Sequence, residues 1–227
     1  PSIMRARFVP RLMIVTVLVA AGAAFAQFSG GQIGNRNPPA PPSVPDILTG
    51  SQSFAYLVFP DEQVTCTQGG FQLDSVSMLL DFAPSQIPAV VEVQGGLAQA
   101  VWDPTGQYLV PGGPICNAPP STYVVNDPGL FQVQVPMNAS CGCYNYDAPY
   151  FLIVSYNSPF EAHLPVDGLP QPQIAFMDGG SGTGWQDMFG LKRTSSGKVI
   201  IWGDLTCCAP PVGNEASTWG DVKGLYK

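Results

Sequence analysis

Phe71-Gln72-Leu73-Asp74-Ser75-Val76-Ser77-Met78-Leu79-Leu80-Asp81-Phe82 decides the fold. Val76, Met78, Leu80 and Phe82 alternate with Ser77, Leu79 and Asp81, the period-two signature of a strand with one face in a core. Phe71 and Leu73 alternate too, but in the opposite phase. A one-residue slip would turn half of the strand inside out, so a bulge or bend near Asp74-Ser75 is needed to reconcile the two halves.

The same reading extends outward in both directions. Phe54 to Phe59 is a near-continuous apolar run. Val91 and Val93 continue an alternation that Gly95-Gly96 is expected to break. Tyr108-Leu109-Val110 follows the turn Asp103-Pro104-Thr105-Gly106, and Phe131, Val133 and Val135 alternate before Pro136. Tyr150 to Tyr156 reads as a central strand covered on both faces, Gln173 to Met177 as a short strand, and Lys198 to Leu205 as the last clear one. About nine strands with dense turn signals and no helical periodicity predict an all-β fold. The natural architecture is a two-sheet antiparallel sandwich, jelly-roll-like, stabilised by disulfides. Asn214 to Lys227 fits no single element.

The start of the chain reads differently. Arg5, Arg7 and Arg11 precede an apolar run from Leu12 to Ala26 that closes with Ala24-Phe25-Ala26. This is a signal-peptide pattern, with Met4 as the natural start and cleavage leaving Gln27. The run is short for a membrane span of roughly 20 residues, and without a cysteine at the cleavage site no lipid anchor is expected. The expected organisation is a signal peptide over 1–26, a Gly/Pro-rich tether over 27–46 containing Pro38-Pro39-Ala40-Pro41-Pro42, and one domain over 47–227.

The signal stretch holds three of the nine basic residues and none of the sixteen acids, so cleavage moves the net charge from −7 to −10. An acidic, lysine-poor chain cannot neutralise phosphates, which excludes nucleic acid as a natural partner. It disfavours anionic membrane surfaces, and no membrane insertion is expected once the signal is removed. Only 11% of residues are charged, well under the roughly 25% of typical domains, a composition suited to a secreted, periplasmic or cell-surface β-protein.

All six cysteines, Cys66, Cys116, Cys141, Cys143, Cys207 and Cys208, lie beyond the signal stretch. In an oxidising compartment an even count implies disulfides, up to three of them. Cys207 and Cys208 are adjacent, and a bond between them would close a strained small ring. Cys141 and Cys143 diverge from each other if extended. The expected scheme joins Cys66 to Cys207 or Cys208, joins Cys116 to Cys141 or Cys143, and pairs the two left over.

Candidate chemistry is sparse. His163 is the only histidine and sits in a loop-like stretch, Glu161 to Pro165, so no catalytic triad is expected. The aspartates of Asp103-Pro104 and Asp127-Pro128-Gly129 read as turn caps, and no catalytic residue is assigned. Asp178, opening Asp178-Gly179-Gly180-Ser181-Gly182-Thr183-Gly184, is a candidate calcium ligand, calcium being the only cofactor considered. Tyr144 and Tyr146, with Tyr150 nearby, and Trp185 are candidate rings for stacking on a ligand. Trp202, within Val199-Ile200-Ile201-Trp202, is expected to be packed. Asn138-Ala139-Ser140 matches the glycosylation pattern but is read as chance in a bacterial export context. Three functions follow. The first is a secreted or cell-envelope non-catalytic structural or interaction module of bacterial type. The second is a carbohydrate- or surface-ligand-binding module, calcium-assisted where the Asp178 site is used, with a glycan or surface protein as partner. The third is a carboxylate-dependent glycan hydrolase or lyase.

Overall fold

The structure is a computed structural model and describes residues 30–39, 46–66, 70–137, 141–180, 184–191 and 197–208. The signal stretch, Asn138 to Ser140, Ser181 to Thr183 and Asn214 to Lys227 lie outside the described residues. Among those described, the chain forms twelve strands, one four-residue helix and one 3-10 turn. The strands are β1 (Gly30–Gly34), β2 (Asp46–Val58), β3 (Gly70–Phe82), β4 (Ala89–Asp103), β5 (Tyr108–Asn117), β6 (Ser121–Val125), β7 (Gly129–Pro136), β8 (Tyr144–Asn145), β9 (Tyr150–Leu164), β10 (Ala175–Asp178), β11 (Gln186–Asp187) and β12 (Ile201–Cys207). The helix, α1, is Pro60–Gln63. No helix of the described residues is long and apolar enough to cross a membrane.

All strand pairings are antiparallel and fall into two groups. The first runs β1-β12-β3, with β7 and β8 side by side along the other edge of β3. The second runs β11-β10-β2-β9-β4, with β5 and β6 sharing the far edge of β4. A single pairing, Asp81 with His163, joins them. The groups face each other: a Cβ on Gly95 of β4 would meet Val76 of β3 and Val135 of β7, and one on Gly203 of β12 would meet Leu152 of β9. Between them lies one apolar core containing Phe54, Phe71, Met78, Phe82, Leu97, Leu152 and Tyr156. This agrees with an all-β, disulfide-bearing fold; the pairings are compatible with a sandwich and do not single out a jelly-roll connection.

The bulge is where the alternation demanded it. Opposite β12, Ser75 pairs with Asp204 and Leu73 with Leu205, so Asp74 is the extra residue. Phe71 and Leu73 therefore enter the same core as Val76, Met78, Leu80 and Phe82. Outside the core, the polar residues of this layer form a row: Gln32 donates to Asp204 at 2.6 Å, Ser75 to Asp204 at 2.7 Å, and Gln134 to both at 3.1 Å.

Three expectations are corrected. Gly95-Gly96 does not end its strand: β4 runs through it, and the small residues fit tight spaces, with a Cβ on Gly95 3.3 Å from Val76 and Val135 of the facing layer and one on Gly96 2.6 Å from the Asn117 side-chain oxygen. The stretch read as a solvated tether is partly docked. Gly30–Gly34 is β1, Ile33 is core, Asn35 donates to the Val199 carbonyl at 2.8 Å, and the Arg36 guanidinium lies 5.5 Å from the Trp202 ring centre. His163 is in strand β9, half-buried, not in a loop. Trp202 is packed as expected, 6% exposed.

The β4-β5 hairpin also bends. Tyr108 on β5 stacks on Phe176 of β10, with ring centres 6.0 Å apart, although three strands separate the two elements. The hairpin thus covers a second apolar cluster of Ala55, Leu57, Ala98, Phe151 and Phe176 on the outer face of its layer. Register shifts between Leu97 and Ala100 supply the bend. Trp102 stays 58% exposed near the tip.

Candidate functional site

The segment from Cys141 to Pro149 has no apolar period of its own and is held from outside. Cys116 on β5 bonds to Cys141, and Cys143 bonds to Cys208 just past β12. Cys66 bonds to Cys207, completing one of the arrangements expected from the spacing. Tyr144 and Asn145 then pair with the first residues of β3 as β8. The Asn145 side chain accepts the Asp147 N–H at 3.1 Å, forming an Asx turn. The Tyr146 hydroxyl donates to the Val64 carbonyl, tying the segment to the residue after α1.

This leaves a cleft of about 350 Å³ at the end of the core, lined by Gln99, Ala100, Ile115, Tyr144, Ala148, Pro149 and Tyr150. Tyr144 and Tyr150 form an aromatic corner, with centres 6.2 Å apart and planes at 58°. Phe71 backs both, at 6.0 and 5.5 Å. The Tyr150 hydroxyl donates to the Asn145 carbonyl at 2.8 Å, which sets its ring. Burial raises the pKa of both tyrosines above the ordinary phenol value; for Tyr150 the hydrogen bond to Asn145 opposes this only in part. Both hydroxyls are therefore protonated donors at neutral pH. The Tyr144 hydroxyl has no hydrogen-bond partner among the described residues. Two lining residues on different strands are each one residue from a disulfide: Ile115 precedes Cys116, and Tyr144 follows Cys143.

The structure does not bring the sequence-chosen rings together. Tyr144 lines the cleft, Tyr146 is turned away to Val64, and Trp185 packs on the second apolar cluster. Gln99, Ala100, Ile115, Ala148 and Pro149 were not foreseen. Gln99 follows the inward parity of Val91, Val93 and Leu97, and only knowledge that β4 continues past Gly95-Gly96 would have revealed it.

Asp178 closes β10 and accepts the Gly180 N–H at 3.0 Å, so it caps a turn. Among the described residues no group of three or more His, Cys, Asp or Glu side chains is placed to hold a metal ion. Other acids are likewise engaged. Asp103 accepts the N–H groups of Thr105 and Gly106, Asp187 accepts those of Gln173 and Phe189, and Asp74 accepts the Thr206 hydroxyl. Asp167 accepts from Asn37 and from the N–H groups of Leu169 and Lys198, with the Lys198 ammonium 3.3 Å away. Burial pushes its carboxyl up, but these partners outweigh burial and hold it below the usual carboxylate range. A smaller polar hollow of about 160 Å³ lies on the outer face of the second layer, among Ser51, Glu92, Gln94, Ser155 and Asn157.

No protein-family model and no curated protein matches the chain. One similar solved structure holds the cysteine protease and lectin-like domains of Cwp84, a surface layer associated protein of Clostridium difficile. It is 14% identical over 70% of this chain, with a TM-score of 0.43. A second, the clostridial cysteine protease Cwp84 after propeptide cleavage, is 13% identical over 72% of this chain, also with a TM-score of 0.43. The chain spans 33% and 38% of those two chains. The likeness is too distant to carry a function.

Proposed function

We propose that this chain is an exported, non-catalytic interaction module of the bacterial envelope or exterior, and that it holds its partner in the Tyr144–Tyr150 cleft. The observation that carries the reading is the position of two disulfides, one adjoining Ile115 and the other adjoining Tyr144, on two sides of the cleft. A binding site gains affinity when its walls are ordered before the ligand arrives, because less freedom is lost on association. Export supplies the oxidising compartment in which such bonds form and persist. No residue lining the cleft carries a carboxyl group, which favours a binding role there over carboxylate-dependent hydrolysis, since that chemistry needs an acid and a base beside the substrate.

The test uses the mature chain, fluorescently labelled, sedimented with isolated bacterial envelopes. Saturable binding is expected, with a loss of most of it in Ala148→Trp, which fills the cleft. Circular dichroism and the melting temperature confirm that the variant folds. Equal binding by the folded variant would place the contact elsewhere and sink the proposal.

A further inference from the structure

We propose that the ligand of this cleft is a glycan and that one neutral pyranose unit occupies it; this rests on the binding reading above. Four observations carry the choice of ligand. First, no lining residue is charged: the set is Gln99, Ala100, Ile115, Tyr144, Ala148, Pro149 and Tyr150. A chain carrying a net charge of −7 has nothing there to offset an anionic ligand, so uronic or phosphorylated units are disfavoured. Second, a pyranose presents an apolar C–H face and a rim of hydroxyls, and the cleft has the complement of each. Tyr144 offers a ring face, backed by Phe71 so that it cannot fold away, while Gln99 offers an amide that both donates and accepts.

Third, the Tyr144 hydroxyl is free among the described residues, and as a protonated phenol it can donate to a sugar oxygen. Fourth, the corner fits one compact ring better than an extended peptide. A polyproline helix repeats every three residues, about 9 Å, and needs aromatic ridges at that spacing. Here the two rings stand 6.2 Å apart, in contact and tilted at 58° to each other, which makes one aromatic corner and not two ridges. A cavity of about 350 Å³ accommodates a single sugar ring with water around it and leaves the rest of an oligosaccharide in solvent.

The experiment is isothermal titration of the mature protein with three probes: a panel of neutral oligosaccharides, the corresponding uronic oligosaccharides and a proline-rich peptide. The variants are Tyr144→Ala, Gln99→Ala and, as a control on the opposite layer, Gln32→Ala. A neutral oligosaccharide is expected to bind, at least about tenfold more weakly to Tyr144→Ala and Gln99→Ala, and unchanged to Gln32→Ala. Gln99 is exposed, so its variant keeps the test valid if Tyr144→Ala fails to fold. Cleft-dependent binding of only the uronic probe or only the peptide would overturn the ligand class while leaving the site standing. If no neutral oligosaccharide binds, the ligand class is wrong. Retained envelope binding by Ala148→Trp would then show that the cleft reading fails as well.

Discussion

At the scale of single residues, several aspartates serve the architecture, among them Asp74, Asp103, Asp167 and Asp187. Asp167 is the clearest case: a buried carboxylate ties Asn37 from the N-terminal stretch to Lys198 ahead of β12. Its pKa is lowered in the fold, so it stabilises the protein above the unfolded-state value of about 3.9, and that contribution is lost as pH falls through the lower folded value. Asp167→Asn should flatten the stability-versus-pH curve below about pH 4, and Asp167→Ala should cost about 3–5 kcal/mol at neutral pH, since it leaves three N–H donors without their acceptor and takes the carboxylate from the Lys198 ammonium, which keeps only the Leu169 carbonyl. Urea denaturation at pH 3 and pH 7 measures both. Turn aspartates such as Asp103 were legible in the sequence because their caps are local. Asp167 was not, because its partners lie 130 and 31 residues away.

At the scale of elements, what was legible is what one strand reveals about itself. The phase change around Asp74 announced a bulge because a single core must receive both halves of β3. What stayed hidden depends on a neighbour. Gly95-Gly96 read as a break because glycine weakens a strand, yet here the facing layer leaves only 3.3 Å beside Gly95, and Asn117 on the neighbouring strand leaves 2.6 Å beside Gly96. Strand β1 was hidden because Gly30-Gly31-Gln32-Ile33-Gly34 holds one apolar side chain, and its ladder is supplied by β12. Gly34 carries the same lesson. Its φ is +106°, and an added Cβ would stand 2.5 Å from the Ile201 carbonyl oxygen and 2.9 Å from the Trp202 Cα, both backbone atoms that cannot swing aside. Gly34→Ala should therefore cost about 2 kcal/mol or more and release β1 from β12. Hydrogen exchange should show lost protection at the β1 amides, with protection of the β2–β9 ladder kept. Unchanged protection of β1 would mean that the strand tolerates the side chain.

At the scale of the whole molecule, the disulfides connect what the strands leave separate. Cys66–Cys207 closes 141 residues, Cys143–Cys208 closes 65 and Cys116–Cys141 closes 25. In the chain-entropy account these loops contribute about 3.5–5 kcal/mol each, the longest about 1.5 kcal/mol more than the shortest. Paired alanine replacements, followed by thermal denaturation, should rank in that order. The pairing could be narrowed from sequence alone, because adjacent and near-adjacent cysteines exclude themselves. The cleft could not, because its walls come from β4, β5, β8 and β9 and meet only when the layers close. That cleft is the central claim, and amide chemical-shift mapping during titration with solubilised envelope glycan tests it most directly. The largest shifts are expected on Gln99, Ala100, Ile115, Tyr144 and Ala148. Shifts centred instead on Gln32, Gln134 and Asp204 of the opposite layer, or no shifts at saturating glycan, would contradict it.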